Sequence, residues 1–310
     1  MGGTEQRPRI YHRQATLVRN LALPDRHHLL RLQAPWIAAA ALPGQFVHMV
    51  CGPELTLPRP FSILDADPAT GMVDLLYRVV GTGTAHMAAW QEGMTVTLAG
   101  PVGRPFSPVT PGQSMLLLAG GVGLAPLDFL ARRAQAAGVR VVLLLGTEST
   151  PPFATTQANV FMPGIADVTL LALTHLERLG IVNRLAALHG APGFFRGYVT
   201  DLAREFLASM DPAMRADWRL FACGPPAMLA ATARLIDHFG LAGEVSMEAR
   251  MACGFGGCAG CAVPMLGAYG EGEADKPSPG ADGSDWHYQR VCVDGPVFDA
   301  AKVAWERGFY

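Results

Sequence analysis

Three cysteines within the eleven residues Met251–Cys261 constrain this chain more than any other feature. The run MACGFGGCAGC spaces Cys253, Cys258 and Cys261 as C-x₄-C-x₂-C, and a fourth cysteine, Cys292, follows in the strand-like segment VCVDGPVF. This is the loop pattern of a plant-type [2Fe–2S] site, in which four thiolates hold two irons. Gly254, Gly256, Gly257 and Gly260 suit it, because a loop folded over a cluster needs unusual φ/ψ and amide N–H groups turned toward sulfur. Structural zinc also takes four cysteines, more often as two C-x₂-C-like pairs on separate knuckles. Three cysteines crowded into one Gly-rich loop favour iron–sulfur over zinc, and zinc over four unrelated thiols.

A chain of 310 residues has room for two or three domains, each with its own core. Half the residues are apolar and only 16% are charged, the composition of a compact globular protein. A formal net charge of −2 argues against general nucleic-acid binding. No apolar run approaches the ~18 residues of a membrane span. The N-terminal MGGTEQRPRI lacks the apolar core of a signal peptide, which points to the cytoplasm. With four cysteines claimed by the loop, Cys51 and Cys223 remain, and a disulfide framework is not expected.

Residues 1–9 read as a flexible tail. Through about residue 106, short alternating or β-branched runs (ATLVRNLAL, HHLLRLQAP, GQFVHMVCG, FSILDAD, MVDLLYRVV, TVTLAG) are broken by Pro and Gly, as in an antiparallel barrel capped by a helix at Ala85–Trp90. Two segments stand out. In Arg59-Pro60-Phe61-Ser62, the guanidinium fork can bind a diphosphate and the hydroxyl can reach the edge of a ring. In Tyr77-Arg78-Val79-Val80-Gly81-Thr82-Gly83-Thr84, a strand runs into a Gly/Thr turn whose amides can cradle phosphate. Each alone is equally an edge strand with a solvated Arg, or a tight turn.

From 107 to 240 strands and helices alternate. The expected strands are Ser114–Ala119, Val139–Gly146, a weaker one at Val168–Ala172, and Trp218–Ala222; helices run from the first Gly-rich turn to Ala137 and over Val199–Met210 and Ala227–Phe239. Continuous apolar strands between helices imply a parallel sheet covered on both faces, with ligands at the strands' carboxyl ends. Gly120-Gly121-Val122-Gly123 and Cys223-Gly224-Pro225-Pro226 both sit there, although GGVG falls short of the full G-x-G-x-x-G fingerprint. Glu148, just past the second strand, stands where an acid would accept from an adenosine 2′-OH and repel a 2′-phosphate, which favours NAD over NADP; a solvated loop Glu is the alternative. Cys223 could lie by a nicotinamide ring or be a small buried hydrophobe.

In order along the chain, RPFS, YRVVGTGT, GGVGLAP, CGPPAM and MACGFGGCAGC…RVCVDGPVF resemble the electron-transfer subunit of the two-subunit, NAD-linked dihydroorotate dehydrogenase, within the ferredoxin–NADP reductase-like superfamily. The resemblance covers about residues 10–300. It implies a β plus α/β multidomain chain: an FAD-binding antiparallel β-barrel (10–106), an NAD-binding α/β domain (107–240) and a [2Fe–2S] module (241–310). It implies that Arg59 and its neighbours Pro60 and Phe61 bind the FAD diphosphate side, with Ser62 at the flavin edge. Tyr77, Arg78, Val79, Gly83 and Thr84 would hold the rest of FAD. Gly121, Gly123, Glu148, Cys223, Gly224 and Pro225 would face NAD, with Ser62 and Cys223 as catalytic candidates. Cys253, Cys258, Cys261 and Cys292 would hold the cluster.

The implied partner is an FMN-containing catalytic dehydrogenase subunit of pyrimidine biosynthesis, in a heterotetramer. The chain departs from the family at Thr174–Phe195, where an acidic-Gly-Ser segment is usual, and in the Gly/Pro/acidic tract Gly267–Asp285, read as a mobile hairpin tip. Two other readings stand beside this one. The first is a same-build reductase subunit serving a hydrogenase, a sulfide dehydrogenase or a ferredoxin–NAD(P) enzyme. The second is a zinc-stabilised binding module without redox chemistry. Cys258→Ser should abolish the iron–sulfur part of the visible absorbance, which zinc-free, iron-replete expression should leave intact; absorption spectra with metal analysis check this, and zinc in place of iron contradicts it.

Overall fold

The computed structural model describes residues 10–52, 54–108, 112–148, 150–165, 169–267 and 286–308. The expected tail at 1–9 and the tract at 268–285 therefore lie outside the described residues.

Strands β1 (Tyr11–Ala22), β2 (His27–Gln33), β3 (Phe46–Met49), β4 (Arg59–Asp67), β5 (Met72–Arg78) and β6 (Thr95–Val102) close into an antiparallel barrel in the order β1-β2-β5-β4-β3-β6. Alternation builds its interior: Val47 and Met49 of β3 join Leu17, Leu30, Ile63, Leu75 and Leu98 in one buried cluster. The short helix α1 (Pro35–Ala38) adds Ile37 to it. Helix α2 (Thr82–Ala88) starts three residues earlier than the expected Ala85, because the Thr84 hydroxyl accepts from the Val80 and Gly81 N–H groups and caps the turn.

The second sheet runs β12-β11-β8-β7-β13-β14-β17, with β7 (Ser114–Gly120), β8 (Arg140–Gly146), β11 (Val182–Ala187), β12 (Phe195–Arg196), β13 (Trp218–Cys223), β14 (Ala242–Ser246) and β17 (Val297–Asp299). All neighbours are parallel except β14 and β17. Every residue of β7 is buried, as its unbroken apolar run requires. Helix α3 (Leu124–Ala136) packs on one face of the sheet with barrel residues Leu64 and Leu76. Helices α5 (Val199–Ala208) and α7 (Pro226–Phe239) pack on the other, and α6 (Pro212–Arg215) is one turn leading into β13.

The expected strand at Val168–Ala172 is not part of this sheet. Residues Leu171–Leu173 (β10) pair instead with Thr155–Gln157 (β9) in a separate two-stranded ribbon, followed by the short helix α4 (Thr174–Arg178). The sheet position beside β8 belongs to β11, inside the stretch that departs from the family pattern. Its apolar run is interrupted by buried Asn183 and Arg184. Both find long-range backbone partners: Asn183 accepts from Leu173 N–H at 2.6 Å, and Arg184 donates to the Val160 carbonyl.

The sheet also continues past residue 240. β14 extends it, and β17, beyond all four clustered cysteines, forms its last strand. Between them, β15 (Ala262–Leu266) and β16 (Trp286–Arg290) make an antiparallel ribbon. Cys292 lies in the turn after β16 rather than in a strand.

A charged network ties barrel to sheet. The wholly buried Asp128 carboxylate on α3 accepts from His175 of α4 and pairs with Arg132 Nε at 2.8 Å, and Arg132 also reaches Asp65 Oδ2 of β4 at 2.8 Å and the Leu64 carbonyl at 2.9 Å. Removing the guanidinium leaves the buried Asp128 carboxylate with His175 as its remaining partner among the described residues and frees Asp65. Arg132→Met should therefore cost about 3–5 kcal/mol in urea unfolding, whereas a surface ion pair would give about 0–1.

Candidate functional site

A cavity of about 570 Å³ lies where barrel, sheet and cluster loop meet. Arg59, Pro60, Phe61 and Ser62 enter it from the start of β4; Tyr77 and Arg78 from the end of β5; Gly81–Thr84 from the first turn of α2. Two segments 18 residues apart in sequence, Arg59 and Tyr77 at their heads, thus become one wall through the β4–β5 pairing. Arg59 is exposed and donates to the Leu57 and Pro58 carbonyls, with no carboxylate partner among the described residues. An uncompensated guanidinium at the mouth of a cavity suits an anionic ligand. Arg78, in contrast, is paired with Asp25 at 2.7 Å. Tyr77 is buried and its hydroxyl donates to Asn20 Oδ1 at 3.3 Å; burial, only partly opposed by that bond, raises its pKa. Val79 does not line the cavity.

The far wall consists of Val122, Cys223, Pro296 and the run Ser246–Ala249, with Met251 beyond. Of these only Cys223 is among the site residues expected from sequence. Cys223 ends β13 beside Ala119 of β7, which brings the CGPP and GGVG turns together. Their glycines are explained by that approach: a Cβ on Gly123 would come within 2.2 Å of the Cys223 carbonyl oxygen, and one on Gly224 within 3.0 Å of Gly120 Cα. Gly121, at φ +55°, faces open space, so a ligand's backbone-hugging phosphates can approach there. Pro225 and Pro226 open α7, and Glu148 is exposed two residues past β8; neither borders the cavity.

Burial pushes up the Cys223 thiol, with the neighbouring Glu248 charge acting the same way and Ser246 opposing. Glu248 is exposed at the cavity edge, and the partial desolvation of its carboxyl there likewise raises it. Ser62 and Ser246 thus give the cavity hydroxyl groups, and Cys223 and Glu248 add a thiol and a carboxyl that stay protonated more readily than in water. Glu248 and Ser246 carry no sequence signal for this role, since only the crossing of β14 beside β13 brings them to Cys223.

Two residues beyond Met251 begins the cysteine loop. Cys261 and Cys292 lie 3.3 Å apart in a shared hydrogen bond, and Cys253 is hydrogen-bonded to Cys258. Although burial works against it, the Cys253 thiol is lowered to about 7 by N–H groups of Phe255, Cys258 and Gly257. Cys261 is lowered to about 6, chiefly by Cys292. The Gly256 amide is directed at Cys292. Gly254 and Gly256 take φ of +74° and +86°, and Arg290 fastens the loop by donating to the Gly256 carbonyl at 3.1 Å while pairing with Asp294 at 2.9 Å. None of the six cysteines is in a disulfide.

This donor set fits a binuclear cluster. The sulfurs approach as two pairs, Cys253 with Cys258 and Cys261 with Cys292, and amides turn toward them. A single zinc needs four ligands around one point. Among the described residues no group of three His, Cys, Asp or Glu side chains gathers around one point, so the preference for a cluster rests on the C-x₄-C-x₂-C spacing and the amides aimed at sulfur.

Residues 278–304 match the iron–sulfur cluster binding domain of dihydroorotate dehydrogenase B. The electron transfer subunit of dihydroorotate dehydrogenase B (NAD(+)) from Desulforamulus reducens is 32% identical over 285 residues, covering 90% of this chain and 93% of that one. Its counterpart from Bacillus velezensis is 32% identical over 293 residues, covering 93% and 97%. The chain belongs to this family of electron transfer subunits. It is therefore an oxidoreductase subunit with FAD, NAD and [2Fe–2S] as its cofactors, built to work with a catalytic partner. The fold agrees: the solved NADH-dependent reduced ferredoxin–NADP oxidoreductase superposes with a TM-score of 0.72 at 24% identity, over 99% of this chain and 92% of that one. The ferredoxin reductase of carbazole 1,9a-dioxygenase gives 0.58 at 20% identity, over 75% and 67%. No described helix is long and apolar enough to cross a membrane.

Glu248 also sets a pH dependence. Its folded pKa is raised, so the folded state binds the extra proton and stability falls as pH climbs from the unfolded carboxylate range through the raised value. Glu248→Gln should flatten that fall from about pH 4, the unfolded carboxylate range, upward. Denaturation midpoints of the two chains from that pH upward check it.

Proposed function

We propose that this subunit passes electrons between NAD and a partner that oxidises dihydroorotate, and that the single cavity joining RPFS, the GTGT turn, Cys223 and the approach to Cys253 is where the traffic converges. When bound, FAD exchanges hydride with NAD and single electrons with the cluster, which is why it belongs between them. Arg59 holds the diphosphate, with the first-turn amides at Gly83 and Thr84 beside it. Phe61 and Tyr77 wall the ring site, and Ser62 reaches the flavin edge. On the sheet side, Gly121 and the Cys223–Pro225 turn receive the nicotinamide half of NAD, and Glu148 accepts from the adenosine ribose. Cys223 and Ser246, both buried, close the space between the two rings against water, and Glu248 stands at its exposed edge.

The partner is the FMN-containing dehydrogenase subunit of pyrimidine biosynthesis, assembled with this chain as a heterotetramer in the cytoplasm. The division into barrel, NAD domain and cluster module near residues 106 and 240 is one of redox role, since the sheet itself crosses the second boundary. The purified chain should reduce artificial acceptors with NADH yet leave dihydroorotate untouched, and should couple dihydroorotate oxidation to NAD only when co-purified with the partner. Dihydroorotate oxidation by the chain alone would overturn this division of labour.

A further inference from the structure

His48 is only 4% exposed, yet no role described so far uses it. It sits on β3, where Val47 and Met49 point into the barrel while Phe46 faces the flavin cavity. Two residues on, His48 shares the face of Phe46. Its backbone is in register with Pro60 of the RPFS segment. Its ring lies against the backbone of Pro58, just ahead of Arg59, and of Cys253, the first cysteine of the loop. The ring is also pressed onto Gly254: a Cβ there would stand 2.4 Å from Nδ1 and 3.0 Å from both Cγ and Cε1. Nε2 is buried and no described group completes a normal hydrogen bond to it, so the backbone carbonyls of Pro58 and Cys253 are the polar partners the ring's N–H has to face. An apolar side chain would fill this space without the desolvation cost of an imidazole, so a polar ring here calls for a reason.

We propose that His48 is a positioning residue that seats the cluster loop on the flavin barrel and so fixes the separation of the two redox groups. The proposal rests on the reading that the chain carries both FAD and the cluster. One rigid ring touches the segment leading into the diphosphate-binding Arg59 and the segment carrying Cys253, so a shift of either is felt by the other. Gly254 serves as the flat seat. Its positive φ makes a Gly254→Ala variant strained for an unrelated reason, which leaves His48 as the clean handle.

The test uses the full chain loaded with FAD and iron, in His48→Phe (ring kept, N–H lost) and His48→Gln (N–H kept). After mixing with NADH, flavin bleaching and cluster reduction are followed separately, and amide hydrogen exchange is measured across 253–258. In His48→Phe, flavin bleaching should stay within about twofold of wild type while cluster reduction slows about tenfold and loop amides exchange faster, the scale of losses around supported metal sites. His48→Gln should recover most of both. Iron loss in His48→Phe that His48→Gln restores supports the proposal equally. A His48→Phe chain with wild-type iron, rates and exchange overturns it, as does equal impairment of both variants. Wild-type chain lacking flavin or cluster would instead sink the functional reading.

Discussion

A core shared by the sheet and the cluster module, and entered by one residue pair of the barrel, is the constraint on which the rest of this molecule depends. Phe46 from the barrel, Leu118 and Leu220 from the sheet, and Val263, Val291, Cys261 and Cys292 from the cluster module belong to a single buried cluster. A chain that relays electrons cannot let its binding sites drift, and independent domains joined by polar interfaces drift by default. Here the drift is suppressed twice. β17 returns from beyond the cysteines to pair with β14, and the Gly295 carbonyl accepts from Arg104 N–H at 2.6 Å, stitching the same segment to the end of the barrel.

The site inherits its geometry from that core. The cavity has no floor of its own: each wall is the end of an element anchored elsewhere, at β4, β5, α2, β13 and β14. Its two halves differ chemically. The barrel side presents Arg59, without a carboxylate partner among the described residues, and first-turn amides, suited to phosphate; the sheet side presents the buried Cys223 thiol and Ser246 hydroxyl, with the raised Glu248 carboxyl at its exposed edge. That separation suits a ligand whose charge lies toward the Arg59 side of the cavity.

The cysteine loop shows the same economy. Its positive-φ glycines bring amides onto sulfur, its carbonyl at Gly256 is fastened by Arg290, and its Gly254 lies flat on His48. Cys258 and Phe255 remain exposed while Cys261 and Cys292 are buried. Cys258 therefore faces outward and Cys261 and Cys292 inward, with half-buried Cys253 on the barrel side against His48.

What the sequence determined by itself was whatever spacing and periodicity record locally. These are the four cysteines, the RPFS and GTGT segments, the barrel's alternating strands, and the unbroken apolar runs of β7, β8 and β13. The third parallel strand escaped because Asn183 and Arg184 break its apolar run, and their burial is compensated only by Leu173 and Val160, which no local pattern links to them. Ser246 and Glu248 escaped for a related reason: β14 reads as an ordinary strand until its register beside β13 is known, as β3 with Phe46 does until it is paired with Ser62 of β4. Tertiary structure alone decided which glycines serve ligands and which serve packing, opening Gly121 and pressing Gly123 onto Cys223, because contact across strands depends on register rather than composition.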